Sequence, residues 1–594
     1  MQTVPFIPDN APFTPEQRNW LNGFLAGLFS QAPVAATAAE PPRSLKIAVL
    51  YGSQSGTAEG IARKLVKELK SRGHVASLSS LETYTPAALF SERYAIFVAS
   101  TYGDGEPPES ARQFYEQLCL EHFPAAGNLS YAVLALGDSS YEHFCKFGDE
   151  LDRRLSSLAG TSLCARVDCD VDFEGSLASW KDSLFHALEE AVDPRAAREQ
   201  ASTGSAHASS TLSLDKLPSN TPTRDNPYLA AMIEKRPLTS ESSSKQTLHI
   251  ALDVSSSPVT YQAGDACGVV AQNDPVLVDE ILHLLKFDGS INIQLPKDGV
   301  SSLRSALVEH LQITRLTRKI VESYATIGNC QRLFDLLTPE SSSGLQSYIY
   351  DRGLVDLLLD YPGVVREPMD LVAMLPRLTP RLYSISSSPS AHSGQIHTTV
   401  AVVRYRSHDR SRGGVCSTLL ADRRNTGDAL PVYIQPNQRF RLPADSEASM
   451  IMIGPGTGIA PFRSFLHERR ALGHRGRNWL FFGERSASTD FLYREEIEDM
   501  QSDGHLTRLD LAFSRDQQQK IYVQDRMREQ DAELFRWIED GASIYVCGDA
   551  SYMAKDVDTA LHDIVREHAK ISRDDAGEYI ANLKEQHRYH RDVY

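Results

Sequence analysis

Residues Lys46–Leu65, KIAVLYGSQSGTAEGIARKL, join a short apolar run, a small polar loop and a charged amphipathic segment. An unbroken apolar run of this length is typical of a strand buried in a parallel sheet, and the segment after the loop has a helical pattern. Two more such runs follow, YAIFVAS at 94–100 and YAVLAL at 131–136. This alternation of strands and helices predicts one doubly wound α/β domain over residues 44–192.

The loop after the first strand predicts an anion site, because the free N–H groups and dipole of a helix N-terminus favour negative charge. Its residues are Ser53, Gln54, Ser55, Gly56, Thr57 and Ala58. No Lys follows Gly56, and the G-x-G-x-x-G spacing of dinucleotide folds is missing, so the loop suits a monophosphate. On this loop alone, a plain polar turn is an equal alternative.

Two further loops follow apolar strands at the carboxyl edge of the predicted sheet, where doubly wound sheets bind ligands. One contains Ser100, Thr101, Tyr102 and Gly103, and the other contains Leu136, Gly137, Asp138, Ser139, Ser140, Tyr141, Glu142, His143, Phe144 and Cys145. Tyr102 and Tyr141 sit among small residues, so neither ring is expected in the core. Two rings at one sheet edge are suited to sandwiching a flat heterocycle.

Together the three loops resemble the FMN-binding, flavodoxin-like domain of the diflavin reductases, over essentially all of residues 44–192. The resemblance implies that residues 53–58, 100–103 and 136–145 bind FMN. Thr57 stands where similar proteins often carry Asn, which is a departure of little consequence.

The segments on either side of this domain differ from it in composition and pattern. Residues 1–43 begin with a helical pattern in which Thr14 is the cap, Pro15 the first helical residue and Gln17 the partner in a capping box. An apolar stripe follows, made of Trp20, Leu21, Phe24, Leu25 and Leu28. The stripe predicts either self-association or packing on the same chain. Residues 193–225, rich in Ser, Ala, Thr and Pro, are predicted to form a long flexible linker.

The pattern changes at residue 226. Alternating segments such as QTLHIALDV, residues 246–254, predict antiparallel strands, whereas residues 275–375 predict helices. We therefore expect a β-barrel with a helical insertion over residues 226–445. A second parallel α/β domain is predicted for residues 446–594.

The segment PRLYSISSSP, residues 380–389, carries the most specific pattern of the predicted barrel. Arg381 is a fixed cation suited to a pyrophosphate, Tyr383 offers a ring face and Ser384 a hydroxyl group. The R-x-Y-S/T pattern resembles the FAD site of ferredoxin–NADP reductase-like barrels. That resemblance implies further FAD contacts by Thr317, Leu382, Thr399, Val400, Ala401, Tyr405, Gly414, Val415, Cys416 and Ser417. A barrel with ordinary polar turns is the alternative.

The last predicted domain opens with IGPGTGIAPFRSF, residues 453–465, a strand end that leads into a helix. Its glycines allow a dinucleotide pyrophosphate to approach the backbone, and Pro461 suits a first helical turn. The residues concerned are Gly454, Gly456, Thr457 and Gly458.

A second signal in this domain comes from residues 510–525, DLAFSRDQQQKIYVQD. Ser514, Arg515 and Lys520 are suited to a 2′-phosphate, which favours NADPH over NADH as the donor. The adjoining nucleotide contacts expected are Ile521, Tyr522, Val523 and Gln524. A solvated charged loop is the alternative.

The residues expected at the reacting centre are implied by the resemblance and not by their spacing in the sequence. In ferredoxin–NADP reductase-like domains, the residue at the position of Cys547 lies beside the nicotinamide. The residue at the position of Ser384 and an acidic residue, here Asp592, lie there too. The resemblance also implies a nucleotide contact by Asp556 and an aromatic lid over FAD, here Tyr594. Stacking adds only ~1 kcal/mol beyond buried area, so such a lid is displaceable. From the residue alone, Cys547 would be read as a buried structural cysteine.

Composition excludes several classes of protein. The 594-residue chain has a formal net charge of -16, which disfavours nucleic acid as a partner. No apolar run approaches the ~20 residues of a membrane span, and the first residues lack a signal-peptide pattern. The eight scattered cysteines have no metal-type spacing. We therefore expect reduced thiols in the cytoplasm, and no metal site.

The chain as a whole resembles the diflavin reductases, and most of all the flavoprotein subunits of bacterial NADPH–sulfite reductases. LNGFLAGLF (21–29), WLFFGER (479–485) and RYHRDVY (588–594) carry that closer likeness. It implies electron transfer from NADPH through FAD and FMN to a sirohaem–iron–sulfur hemoprotein, which reduces sulfite to sulfide for cysteine biosynthesis. Two alternatives stay open: a reductase of cytochrome P450-type haem proteins, and an assembly module without electron transfer.

Overall fold

The fold is seen in a computed structural model, which describes residues 7–8, 11–15, 17–18, 21–22, 44–53, 56–102, 105–120, 128–137, 143–170, 173–192, 222–224, 226–295, 299–338, 341–550 and 552–594. Near the N-terminus the predicted capping box is confirmed. The Thr14 N–H donates to Gln17 Oε1 at 3.1 Å, and the Gln17 N–H donates to Thr14 Oγ1 at 3.3 Å. Of the predicted stripe, Trp20, Phe24, Leu25 and Leu28 lie outside the described residues.

The first unit is the predicted doubly wound domain. Its parallel sheet has the strand order β2-β1-β3-β4-β5, and β6 also pairs with β4. The strands are β1 (Lys46–Gly52), β2 (Val75–Ser80), β3 (Tyr94–Ser100), β4 (Ser130–Leu136), β5 (Thr161–Ser162) and β6 (Val167–Cys169), and the helices are α1 (Thr57–Ser71), α2 (Glu109–Leu118), α3 (Lys146–Ser157) and α4 (Glu174–Val192). Helices α1 and α4 cover one face of the sheet, and α2 and α3 cover the other. This is the flavodoxin-type strand order.

The second unit is an antiparallel barrel with strand order β12-β9-β16-β7-β8-β13. A bridge between Ile385 and Thr398 joins the two end strands and closes the sheet. The sheet strands are β7 (Tyr228–Pro237), β8 (Gln246–Asp253), β9 (Ala266–Val269), β12 (Arg381–Ser384), β13 (Gln395–Val402) and β16 (Ala429–Gln435). A hairpin of β14 (Arg404–Ser407) and β15 (Arg410–Gly413) leads into the short helix α12 (Val415–Thr418).

The helical insertion lies between β9 and β12 and has its own apolar core. Its helices are α5 (Pro275–Leu285), α6 (Leu303–Glu309), α7 (Arg318–Gly328), α8 (Gln331–Leu337), α9 (Ser342–Ile349), α10 (Leu354–Asp360) and α11 (Pro368–Met374). The prediction of helices alone was wrong at one place, where β10 (Asn292–Leu295) pairs with β11 (Gly299–Ser302). In the sequence, Ile293 and Leu295 alternate with polar residues and an Asp-Gly dipeptide follows, which is a hairpin pattern.

The third unit is a five-stranded, all-parallel sheet of order β19-β18-β17-β20-β21. Its strands are β17 (Met450–Ile453), β18 (Asn478–Glu484), β19 (Arg508–Phe513), β20 (Ser543–Gly548) and β21 (Tyr589–Val593). Its helices are α13 (Ile459–Leu472), α14 (Ala487–Asp490), α15 (Arg494–Ser502), α16 (Val523–Glu529), α17 (Asp531–Glu539), α18 (Met553–Ala569) and α19 (Arg573–Glu585). Nowhere in the described part of the chain is a helix long and apolar enough to cross a membrane.

Candidate active site and flavin sites

The first predicted phosphate loop folds around Ser53, which is buried at the end of β1. The Ser53 N–H donates to Ser110 Oγ at 2.9 Å, and the Gly56 N–H donates to Ser53 Oγ at 3.0 Å. Gly56 has φ 85°, a left-handed conformation that favours glycine, immediately before α1 begins at Thr57. The loop therefore delivers the chain directly to a helix N-terminus, as the sequence predicts; Gln54 and Ser55 lie outside the described residues.

The described parts of the other two loops meet at the same sheet edge. The Thr101 N–H donates to the Leu136 carbonyl at 2.7 Å, and the Gly137 N–H donates to the Cys169 carbonyl at 2.9 Å. Cys145 is fully buried, and burial raises the pKa of its thiol, so its side chain belongs to the domain interior. The Tyr102 ring packs against the apolar core of the third unit. Gly103 and residues 138–142, with Tyr141, lie outside the described residues, so the sandwich of two rings stays a prediction.

The barrel brings together most of the predicted FAD residues. Tyr383 packs in the same apolar cluster as Cys416, and burial is the main reason that the pKa of Tyr383 is raised well above its usual value. The positive charge of Arg381 acts on both groups. The turn at Gly414 lies against the end of β13, since its N–H donates to the Val403 carbonyl at 3.0 Å. Arg381, Tyr383 and the 414–417 turn thus form one site.

Other predicted FAD residues have structural partners. The Thr317 hydroxyl caps α7 by accepting from the Ile320 N–H at 3.3 Å. Val400 lies in the barrel core, and the Thr399 hydroxyl is hydrogen-bonded to the Tyr493 hydroxyl at 2.8 Å. Any contact of Val400 with a ligand would therefore come from its backbone. Tyr405, in contrast, is 41% exposed at the barrel surface.

The nucleotide loop is shaped by glycines that a larger residue would disrupt. A Cβ at Gly458 would lie 2.1 Å from the Cys547 carbonyl oxygen. Gly456 has φ 59°, again in the region that favours glycine. The loop therefore lies against the end of β20, and α13 begins directly after it at Ile459.

Beside this loop lie the residues predicted to bind a 2′-phosphate. The Ser514 N–H donates to the Glu484 carbonyl at 2.9 Å, which fixes the start of the loop. Arg515 and Lys520 are exposed, and within the described residues neither forms an ion pair. Two exposed cations without carboxylate partners suit a phosphate group. Gln524 Nε2 donates to Asp556 Oδ2 at 3.1 Å, so these two predicted nucleotide contacts are neighbours.

The three predicted reacting residues meet where the barrel contacts the third unit. Ser384 Oγ donates to Asp592 Oδ2 at 3.0 Å, and Cys547 Sγ lies 3.9 Å from the same oxygen. Burial raises the pKa of Asp592, while hydrogen bonds from Ser384 and Cys547 oppose that rise. Burial also raises the pKa of the Cys547 thiol well above its usual value, which keeps it protonated. Strand β21 positions Asp592, because Asp592 pairs with Cys547 across the sheet.

The predicted lid is anchored at both ends. The Tyr594 N–H donates to the Gly548 carbonyl at 3.0 Å, and its hydroxyl is hydrogen-bonded to Thr457 Oγ1 at 2.7 Å. As a residue, Tyr594 is 60% exposed, while burial is the main reason that the pKa of its hydroxyl is raised. The lid is thus bonded directly to the predicted nucleotide loop.

Sequence reasoning missed several residues around these sites. Asn437 Nδ2 donates to Asp592 Oδ1 at 3.2 Å and so holds the second carboxylate oxygen. Lys245, from the barrel, pairs with the nearly buried Glu484 below the nucleotide loop. Both pairs join residues far apart in the chain, and no local pattern marks either of them.

Comparison with known proteins agrees with this arrangement. Three family models match successive parts of the chain: Flavodoxin at residues 49–180, FAD binding domain at 221–419, and Oxidoreductase NAD-binding domain at 452–559. A flavodoxin domain, an FAD barrel and a nucleotide domain in one chain define a diflavin reductase, an oxidoreductase that uses FMN, FAD and NADPH.

Full-length relatives identify one family within the class of diflavin reductases. The chain is 41% identical to the sulfite reductase (NADPH) flavoprotein alpha-component of Bacillus subtilis over 98% of its own length and 96% of that protein. Identity to the protein of the same name from Yersinia enterocolitica is also 41%, over 98% and 96%, and to that from Photorhabdus laumondii it is 39%, over 100% and 97%. The chain belongs to this family of sulfite reductase flavoprotein alpha-components.

Proposed function

We propose that this chain supplies electrons for the reduction of sulfite to sulfide, passing them from NADPH through FAD and FMN to a sirohaem–iron–sulfur hemoprotein. The contact of Ser384, Cys547 and Asp592 carries the proposal, because it places one hydroxyl, one thiol and one carboxylate where the flavin barrel meets the nucleotide domain. The name of the relatives, an alpha-component, supports a second component as acceptor.

Each cofactor has residues that fit its chemistry. When bound, the flavins accept an electron pair and release electrons singly, which allows a two-electron donor to serve a one-electron acceptor. Ser53–Ala58 and the neighbouring loops would hold FMN, Arg381 and Tyr383 would hold FAD, and Arg515 with Lys520 would hold the 2′-phosphate of NADPH. Asp592 would orient Ser384 and Cys547 around the nicotinamide, and Tyr594 would cover the flavin between turnovers.

We also propose the division of the chain. Residues 44–192 would bind FMN, residues 226–445 FAD and residues 446–594 NADPH. The N-terminal segment 1–43 would mediate self-association through its apolar stripe. All eight cysteines are free thiols, which supports a reducing cytoplasmic location.

The linker 193–225 would allow the FMN domain to move between FAD and the acceptor. Shortening residues 200–215 should then slow reduction of the acceptor more than reduction of FAD, measured separately by stopped-flow absorbance. Equal slowing of both steps would contradict this movement.

The decisive experiment mixes the purified chain with the sirohaem hemoprotein encoded by the same genome, NADPH and sulfite, without oxygen. Sulfide formed only when both proteins are present is the expected result. Asp592→Asn is the matched control, because it keeps the side-chain shape but removes the carboxylate. Rapid reduction of cytochrome c without any sulfide would contradict the proposed acceptor. The chain would then be a reductase of another haem protein.

A further inference from the structure

The flavin motif continues into a run of serines that are not among the predicted flavin or nucleotide contacts. Ser386, Ser387 and Ser388 are each fully buried, directly after β12. Burying a hydroxyl group is unfavourable unless it is hydrogen-bonded. Among the described residues the Ser386 hydroxyl has no partner, whereas the other hydroxyls of this serine segment, residues 386–390, have partners that indicate what the segment does.

One partner is Glu468, which lies on α13 and is only 9% exposed. Ser388 Oγ donates to Glu468 Oε2 at 2.6 Å, and Ser390 Oγ donates to Oε1 at 2.8 Å. The Ser390 N–H donates to Oε2 at 3.2 Å. No cation pairs with Glu468 among the described residues, so hydroxyl and N–H groups of the barrel satisfy this buried carboxylate. Hydrogen bonds to an ionised acceptor are stronger than neutral ones.

The preceding turn of α13 binds the same segment. Ser464 Oγ donates to the Ser387 carbonyl at 2.6 Å, and Arg463 Nη1 donates to the Ser386 carbonyl at 2.8 Å. Ser464 and Glu468 are four residues apart and so share one face of the helix. One helix face of the nucleotide domain is thereby bonded to consecutive residues of the barrel.

The two ends of this connection are the two halves of the hydride-transfer site. Helix α13 begins immediately after the Gly456–Gly458 turn, and the serine segment follows β12 with Arg381 and Ser384. A shift of α13 along the serine segment would move the nucleotide loop relative to the flavin strand. A displacement of about 1 Å at a reacting centre costs about 10²-fold in rate.

We propose that Glu468 is a positioning residue for hydride transfer. By holding α13 on the serine segment, it sets the separation between the nicotinamide and the flavin. Glu468 is hydrogen-bonded to Ser388 and Ser390, and it acts through them. The inference concerns only the NADPH half-reaction and holds for any final acceptor.

The test is Glu468→Gln in the full-length chain. The amide keeps the size of the side chain but replaces one acceptor oxygen by a donor, which faces the Ser388 or Ser390 hydroxyl. The matched control is Arg470→Gln on the same helix, since Arg470 pairs with Asp503 at the surface and not with the barrel. Both variants are mixed with NADPH, or with NADPH deuterated at the transferred position, in the absence of any acceptor.

For Glu468→Gln we expect flavin reduction to slow by 10- to 100-fold, with a changed deuterium isotope effect and a weaker long-wavelength charge-transfer absorbance. Affinity for NADP⁺ and FAD content should stay within error of Arg470→Gln. An unchanged rate and isotope effect would overturn the proposal, and so would a rate loss that follows FAD loss alone. If Glu468→Gln fails to retain FAD, Ser390→Ala removes a single hydroxyl and should change the isotope effect in the same direction; no change there would also overturn it.

Discussion

The two junctions between units of this molecule are built in opposite ways. The barrel and the third unit are joined by buried groups, among them Arg463 and Glu468, which are 7% and 9% exposed. Among the described residues, the flavodoxin-like unit contacts them through the Tyr102 ring and two ion pairs that are open to solvent. Lys555 Nζ lies 2.6 Å from Glu106 Oε1, and Arg439 Nη2 lies 3.5 Å from Glu82 Oε2.

The difference matches the two kinds of electron transfer. Hydride transfer needs reacting atoms in near contact, which a buried junction with many hydrogen bonds provides. Exposed ion pairs contribute little and are screened by salt, so a unit held by them detaches easily. We infer that the chain is rigid where a hydride moves and loose where single electrons move.

The largest expected effect is on the rate of flavin reduction, and it comes from a substitution at the reacting centre of the buried junction. Asp592→Asn removes the carboxylate that would stabilise positive charge developing on the nicotinamide. Flavin reduction by NADPH should slow by about 10²-fold, the scale of one preorganised electrostatic group. Stopped-flow absorbance without oxygen measures the rate. Reduction by dithionite serves as the control and should be unchanged; a normal NADPH rate would remove Asp592 from the mechanism.

The next effect is a pH dependence of stability that is largest at the buried junction. Burial, and then the charge of Arg463, lowers the pKa of His249 to about 3 and that of His397 to about 2. Between those values and the ordinary value of about 6.5, the unfolded chain binds more protons than the folded chain, so stability falls as pH falls. At pH 5 each histidine should lower the free energy of unfolding by roughly 2 kcal/mol relative to its value above pH 6.5.

Calorimetry between pH 7.5 and pH 5 measures this loss. The transition of the barrel and nucleotide unit should move down much further than that of the flavodoxin-like unit. His397→Gln should make the pH slope shallower. Equal slopes for both transitions would contradict the assignment to the buried junction.

A smaller effect is expected at the lid. Tyr594→Ala removes a ring whose stacking is worth about 1 kcal/mol, so NADH should gain on NADPH by about fivefold in kcat/KM. Tyr594→Phe is the matched control, because it keeps the ring and loses only the hydrogen bond to Thr457. Steady-state kinetics with both nucleotides measure the ratio. An unchanged ratio in the alanine variant would exclude a lid at this position.

The smallest effect is expected at the loose junction. Lys555→Gln removes one exposed ion pair, worth at most about 1 kcal/mol, so electron transfer between the flavins should change by less than about fivefold. The change should disappear at 0.5 M salt, where the wild-type pair is itself screened. Laser-flash or stopped-flow measurement at two salt concentrations tests this. A large, salt-independent loss would mean that this junction is as rigid as the other.

The sequence predicted the parts of the molecule better than its junctions. Apolar runs and glycine loops are local signals, so the strands around Ser53 and the turn at Gly456 were predictable. The meeting of Ser384 with Asp592 came from family resemblance, because two residues so far apart leave no periodic trace. Glu468 had no signal at all, since a glutamate on a helix is usually solvated and its partners lie in another unit.

The position of the helical insertion also affects how the chain folds. Val269 of β9 pairs with Arg381 of β12, so two neighbouring barrel strands are separated in the chain by the entire insertion. Pairings between distant residues form slowly, and the entropy cost of closing a loop grows with its length. The insertion has its own core, and its early collapse would bring the two strands together. We therefore expect the flavodoxin-like unit, whose strands pair over shorter stretches of chain, to mature before the barrel, and a newly made chain to acquire FAD last.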